Sequence, residues 1–362
     1  MLFFYPNPTC FLEDIQALPA NVTELLLSGN LGVIYPEIFS NLSHTSRLNT
    51  IIFWWKSNIE SVQVGSFEGL PNLKDLSFDS TSLTSIPTGL VDRVPNLRTL
   101  HFINQNVTSV DTGVFSADAC VEIIDLHNNN IKTLADEAFT NVGSCLETLN
   151  LAINEIGEVS NVIFTNLQKL ETLNLSSNKN IHVNGGFNGL TALKTLDLDR
   201  SGLEDITPEM FSGLGNLILL SLSGNSLTTL PTDVFKGLTS LKKLSLAHNR
   251  ISRIEDNVFD RLHHLKELRL DFNNLTNLKP VAATEVFLHD NPWDCTCNLD
   301  PLITWIKERK NSSQDARCKT PDNLLGQSLA NLTLKEVCGE PSVHTNNCIL
   351  TLLISIAVVA LF

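Results

Sequence analysis

One hydrophobic pattern recurs with a period of about 24 residues, and it constrains the fold more than anything else in the chain. Its clearest copy is Leu146-Glu-Thr-Leu149-Asn-Leu151-Ala-Ile-Asn154. The same spacing returns at Leu170/Leu173/Leu175/Asn178, Leu217/Leu220/Leu222/Asn225, Leu241/Leu244/Leu246/Asn249 and Leu265/Leu268/Leu270/Asn273. Weaker copies begin at Val22, Leu48, Leu73, Leu97, Val121 and Leu193, and a shortened one at Ala283, making twelve units. Asn holds the last position of the pattern in eight of them: Asn30, Asn129, Asn154, Asn178, Asn225, Asn249, Asn273 and Asn291. Lys56, Thr81, Gln105 and Ser201 stand there in the other four. A second column, late in each unit, is Phe from Phe39 to Phe259, with Leu90 once in its place. This demand explains why 362 residues contain 59 Leu and 37 Asn.

The spacing is that of a leucine-rich repeat. Each unit is one coil with a short strand at its LxL step. The Leu side chains point inward and stack on the next coil. The Asn side chain bonds backbone groups where the chain leaves the strand, so a buried turn keeps its polar groups satisfied. The Phe column fills the other half of the core. A lone coil cannot bury its apolar face, so stability comes from stacked neighbours. The predicted fold is α/β: a curved leucine-rich repeat solenoid of about twelve coils, with a parallel β-sheet on its concave face and a cysteine-rich C-terminal cap.

The predicted organisation is a partial N-terminal cap over 1–21, repeats over 22–282, the C-terminal cap over 283–338, and a polar spacer with a hydrophobic tail over 339–362. In the C-terminal cap Asn291-Pro-Trp-Asp-Cys295-Thr-Cys297 precedes an amphipathic stretch over 302–306, then Cys318 and Cys338. Four Cys allow three connectivities. A zinc site is the competing reading, against which no His stands at ligand spacing. Cys120 and Cys145 each precede the first hydrophobic position of a repeat. Equivalent positions in adjacent coils lie about 4.8 Å apart, within disulfide reach. A Cys120–Cys145 staple is therefore expected, with two free buried thiols as the alternative. The cap, and the run from Cys10 to Pro19 that leads into Val22, resemble the extracellular leucine-rich repeat proteins with a C-terminal cysteine cap. That group includes Toll-like receptor ectodomains, Slit-type guidance proteins, GPI-linked adhesion proteins such as connectin and chaoptin, and lamprey variable lymphocyte receptors. The resemblance covers residues 11–338. It implies the pairs Cys295–Cys318 and Cys297–Cys338, and a binding function directed mostly at proteins. The family's N-terminal cap usually carries several Cys, and here Cys10 stands alone behind a start too short for a secretory signal. The expectation is a truncated or misassigned N-terminus, or a natural half-cap.

Sequons stand at Asn21, Asn41, Asn106, Asn174, Asn274, Asn311 and Asn331. With the cap cysteines they favour an oxidising, extracellular compartment. After Asn346-Asn347-Cys348 the chain ends in an uncharged apolar run, shorter than the roughly 20 residues that span a bilayer. A short terminal tail behind a polar spacer is the pattern of a glycolipid (GPI) attachment signal. The expected location is the extracellular face of the plasma membrane, GPI-anchored or single-pass, with a secreted form as the alternative.

No motif of nucleophilic, phosphate-binding or metalloprotease chemistry is present, so the chain reads as no enzyme, without cofactor or metal. A net charge of −14 and pI near 5.0 argue against nucleic acid. Function then falls on the variable positions of the strand face, which point to the concave side. Three zones follow. Ile52, Trp54 and Trp55, with Leu26 and nearby Ile103, form an apolar patch, unless the N-terminal cap or the loop before Leu48 covers it. Asp125, His127, Asp197, Asp199 and Arg200 make a polar, mostly acidic middle, with His101 another polar candidate on the strand face, and a solvated face is the plainer reading of it. Lys242, Lys243, Lys266 and Arg269, with Phe272 and Phe287, make a basic and aromatic end. A glycan on Asn174 would sit in the central column. The expected partner is a protein ligand or receptor at a cell surface, a second copy included. Innate immune recognition of microbial ligands and a matrix role are the alternatives.

Overall fold

The computed structural model describes residues 2–4, 15, 17–40, 42, 47–55, 57–91, 93–115, 120–309 and 315–339. Thirteen strands form one sheet, added in chain order. Every pairing between the coil strands is parallel, and position matches position without a shift from coil to coil, as in Leu149↔Leu173 and Leu196↔Leu220. Twelve of the strands belong to the repeats, from Glu24–Leu27 to Glu285–Phe287. The thirteenth, Leu2–Phe4, pairs with Glu24–Leu27. The sheet therefore starts inside the segment assigned to a cap, and at its other end it takes in residues 285–287 of the predicted C-terminal cap. Helices are few. Most coils return through turns and short 3-10 segments such as Asn161–Phe164, and the longest helix is Asp300–Glu308 in the C-terminal cap.

Curvature follows from the two sides of the core. On the sheet side neighbouring strands lie about 4.8 Å apart. On the return side the rings of the Phe column are spaced more widely, 5.8 Å for Phe115–Phe139 and 6.2 Å for both Phe211–Phe235 and Phe235–Phe259. The stack bends with the sheet inside. A second aromatic row, not anticipated from the repeat, replaces Leu in three early coils: Phe53 and Phe78 stack at 4.8 Å, and Phe78 meets Phe102 at 4.6 Å with the rings tilted by 40°.

The Asn ladder is buried from Asn129 to Asn291. Asn178 is typical. Its Nδ2 donates to the carbonyls of Leu151 (2.9 Å) and Leu175 (2.8 Å), and its Oδ1 accepts from the Ile156 amide (3.0 Å). One amide thus ties three backbone groups of two successive coils, Leu151 and Ile156 in the coil before and Leu175 in its own. Two assignments are corrected near the N-terminus. Asn30 is exposed and accepts from Asn58 Nδ2 (2.9 Å) instead of entering the ladder. In the next coil the role falls to Ser57, whose buried hydroxyl bonds the Leu27 and Trp54 carbonyls, and not to position 56. Gln105 spans the Thr81 turn, accepting from the Thr81 and Leu83 amides and donating to the Phe78 carbonyl.

Disulfides join Cys120 to Cys145, Cys295 to Cys318 and Cys297 to Cys338. The C-terminal cap closes the core with Trp293, whose Nε1 donates to the Leu288 carbonyl (3.0 Å), and with Leu302, Ile303, Trp305 and Ile306 of the helix. Cys10 and the tail lie outside the described residues.

Replacing Asn178 with Ala strands three buried backbone groups, each worth about 1–3 kcal/mol. Asn178→Ala is expected to lose about 3 kcal/mol or more in urea unfolding, with Asn178→Asp, which keeps the acceptor, in between. Equal stability of all three proteins would refute the ladder's role.

Candidate functional site

The open face of the sheet is the candidate site. Along each strand the Leu side chains point into the stack and the intervening residues point out. The central outward column pairs across coils in the order Ile52, Ser77, His101, Asp125, Asn150, Asn174, Asp197, Ser221, Ser245, Arg269, Phe287.

At the N-terminal end Ile52 is half-buried, while Trp54 is 43% and Trp55 62% exposed. Leu26, assigned to the same patch, is only 8% exposed and does not contribute to it. Trp55 and Arg200 stand one step past the face, in the turn before the ladder residue, and so line the rim. That turn position is left-handed in nearly every coil, at Ser80, Asn104, Asn128, Ile153, Ser177, Arg200, His248, Phe272 and Asp290, and at Gly29 and Gly224. It forms a third exposed column, missed by a reading confined to strand alternation. Its sequence signal was the residue just before each ladder position.

In the middle zone side chains of two neighbouring coils converge on Asp125. His127 Nδ1 lies 2.8 Å from Asp125 Oδ1, the His127 amide donates to the same oxygen (3.0 Å), and His101 Nδ1 lies 3.8 Å from Oδ2. Burial pushes the Asp125 carboxyl up, but the His101 side chain and the His127 amide and side chain together outweigh it and hold the pKa at about 2. Ile103 is half-buried beside this cluster.

Asp197 and Asp199 are not part of the Asp125 cluster. They stand three coils further on, both half-buried. Burial, and then the neighbouring Asp199 charge, raise the Asp197 pKa against the Asp199 amide that bonds it. Asp199 Oδ1 accepts from the Ser221 hydroxyl and the Ser223 amide, each at 2.6 Å. Beyond them Arg269 forms a two-point pair with the fully buried Asp271, Nε–Oδ1 3.2 Å and Nη2–Oδ2 3.0 Å. This bond raises the Arg269 pKa. Lys243 pairs with Glu267 at 2.7 Å. Lys242 and Lys266 precede their strands and belong to a flank, not to the face. Among the sequons Asn174 is half-buried on the face, with its Oδ1 accepting from the Ser176 amide (2.9 Å). Asn21, Asn106, Asn274 and Asn331 are exposed elsewhere, and Asn41 and Asn311 lie outside the described residues. Among the described residues no three His, Cys, Asp or Glu side chains are grouped to hold a metal ion.

Protonating Asp125 costs the folded chain more than the unfolded one, because its pKa drops from 3.8 to about 2 on folding. That stabilisation, about 2 kcal/mol, is complete above roughly pH 4 and is lost as pH falls through 2. Asp125→Asn is therefore expected to be less stable than the parent chain near neutrality, with the difference closing between pH 4 and 2. A difference that does not change with pH would contradict this.

The family described as Leucine rich repeat matches residues 144–201, 191–251, 217–275 and 239–285. The one described as BspA type Leucine rich repeat region (6 copies) matches 32–171. Phospholipase A2 inhibitor beta of Elaphe climacophora is 36% identical over 62 residues, 16% of this chain and 19% of its own length. SLIT and NTRK-like protein 4 of Mus musculus is 38% identical over 56 residues, 15% of this chain and 7% of its own length. The chain thus spans less than a fifth of either curated relative. Among solved structures, the TLR13–ssRNA13 complex superposes with a TM-score of 0.65 at 20% identity, over 87% of this chain and 53% of that one. The Drosophila Toll–Spatzle complex gives 0.63 at 17%, over 92% and 60%. The mouse RP105/MD-1 complex gives 0.61 at 22%, over 86% and 62%. These likenesses are of fold. The matched repeats together run from residue 32 to 285, so the chain belongs to the leucine-rich repeat proteins and resembles Toll-like receptor ectodomains and repeat proteins of the cell surface.

Proposed function

We propose that the chain is a non-enzymatic cell-surface binding protein that receives a protein ligand on the concave face of its sheet, in adhesion or receptor-type recognition. The observation that carries this reading is the pair Trp54 and Trp55, both exposed, at one end of the outward column of the sheet. Exposed tryptophan is costly in isolation and frequent where partners anchor. Three disulfides support an oxidising extracellular setting, and the apolar C-terminal run supports a GPI anchor. Immune recognition is the second reading, favoured by the likeness in fold to Toll and TLR13, solved with Spatzle and with ssRNA.

Soluble residues 1–338 carrying Trp54→Ala or Trp55→Ala are expected to bind cultured cell surfaces at least tenfold more weakly than the unaltered protein, with the melting temperature unchanged. Undiminished binding by both variants would move the site away from this end. For the anchor, a phosphatidylinositol-specific phospholipase is expected to release the full chain from expressing cells. Retention on the membrane would eliminate GPI attachment.

A further inference from the structure

The C-terminal half of the concave face is built differently from the Trp54 end. Phe272 occupies the left-handed turn position with φ 55°, where most coils place Ser, Asn, Gly or another polar residue. A bulky side chain is strained there, and such strain concentrates at functional positions. Ile153 is the other large apolar residue so placed. Phe272 is distinguished by its setting. It remains 40% exposed, yet its ring stacks on His248 at 4.1 Å and meets His289 edge-on at 5.0 Å. Beside it Phe287 is 36% exposed, with the Arg269 guanidinium 5.2 Å from its ring centre. Arg269 is spent on the buried Asp271, and His289 Nε2 also lies 3.6 Å from that carboxylate. The result is a held set of flat groups whose cation is already neutralised.

Two coils of small side chains, Ser221, Ser223, Ser245 and Ala247, separate this platform from Asp197 and Asp199. Three strand spacings, about 14 Å, separate the coil of Asp197 from that of Phe272, and a fourth, about 19 Å in all, reaches Phe287. The carboxylate wall differs from the Asp125 and Asp271 sites, and shares with Asp79 near the other end, bonded by Ser80 and Asn104, the lack of a basic salt-bridge partner among the described residues. Asp125 has two imidazoles and Asp271 a guanidinium, whereas no Lys, Arg or His among the described residues forms a salt bridge with Asp197 or Asp199. The trough is therefore aromatic at one wall and negative at the other, where Asp199 is held by the Ser221 hydroxyl and Ser223 amide and feels the Arg269 charge only through space.

We infer that this trough binds a loop of a protein partner carrying an aromatic side chain together with an Arg or Lys, the ring seated on Phe272 and Phe287 and the cation on Asp197 and Asp199. Aromatic pairing and a desolvated charge pair are complementary to the two walls, and the small floor leaves room for a backbone between them. The inference rests on the reading that the open face takes a protein, but it places the contact at the end opposite Trp54.

The test uses a phage library of disulfide-closed random peptides, selected on the immobilised full chain. Enriched peptides are expected to share an aromatic residue and an Arg or Lys a few positions apart. They should bind Phe272→Asn and Asp197→Asn at least tenfold more weakly and Trp54→Ala unchanged. Asn tolerates the left-handed turn better than Phe, so Phe272→Asn is expected to be at least as stable as the parent chain, and lost binding cannot be lost folding. Enrichment of peptides without this pair, or binding that ignores both C-terminal variants, would overturn the inference. Sensitivity to Trp54→Ala alone would leave the proposed function standing and remove only this site.

Discussion

The structure hangs on a side-chain amide placed where the backbone cannot satisfy itself. A coil that leaves its strand must turn inside the stack, and the turn buries carbonyl and amide groups with no sheet partner. An unpaired buried group costs about 1–3 kcal/mol. Each ladder Asn answers three at once, two carbonyls through Nδ2 and one amide through Oδ1, as at Asn225 with Leu198, Leu222 and Leu203. Two of the three bonds reach the coil before, so the ladder holds the register as well as the turn. The parallel sheet, the Phe column and the aligned cysteines all depend on that register.

Where the period is regular, the fold could be read from the chain. Leu, Asn and Phe return in step from Leu146 onward, and the same alignment put Cys120 opposite Cys145, whose Cα atoms are 5.3 Å apart. Legibility failed where the period breaks. The unit from Val22 to Leu48 is longer than the rest, and the next carries one more residue before its ladder group. A fixed count then lands on position 56, while the hydroxyl that reaches Leu27 belongs to Ser57. Ser can take the place because the turn needs a short donor more than an amide. The strand Leu2–Phe4 was illegible for another reason: it lies before the first recognisable unit, where no repeat marks what comes next, and it pairs with the very strand that carries Leu26.

The candidate site divides along similar lines. Strand alternation correctly turned His101, Asp125, Asp197 and Arg269 outward, since alternation is a property of the strand itself. It could not foresee which of them bond across coils. His127 and Asp125 are two residues apart and share a face, but the approach of His101 depends on the neighbouring coil. Asp271 reads as one more outward acid, yet it is fully buried because Arg269 and His289 close over it. Such pairings turn a list of polar residues into carboxylates with and without a salt-bridge partner, and both kinds occur along the face.

The constraint that builds the stack also gives the rim its freedom. Phe272 immediately precedes Asn273, whose amide bonds the Leu246, Leu270 and Asp271 carbonyls and accepts from the Ile251 amide. With that many bonds on one side of the turn, the backbone conformation is set by the ladder rather than by the residue that occupies it. A residue unsuited to a left-handed φ is then carried at a cost the stack can bear, which is the condition under which strain persists in folded proteins. The same holds at Ile153 before Asn154. The column beside the ladder is thus the place where this fold can exchange side chains of any shape without moving its backbone, and it faces the same open surface as the sheet.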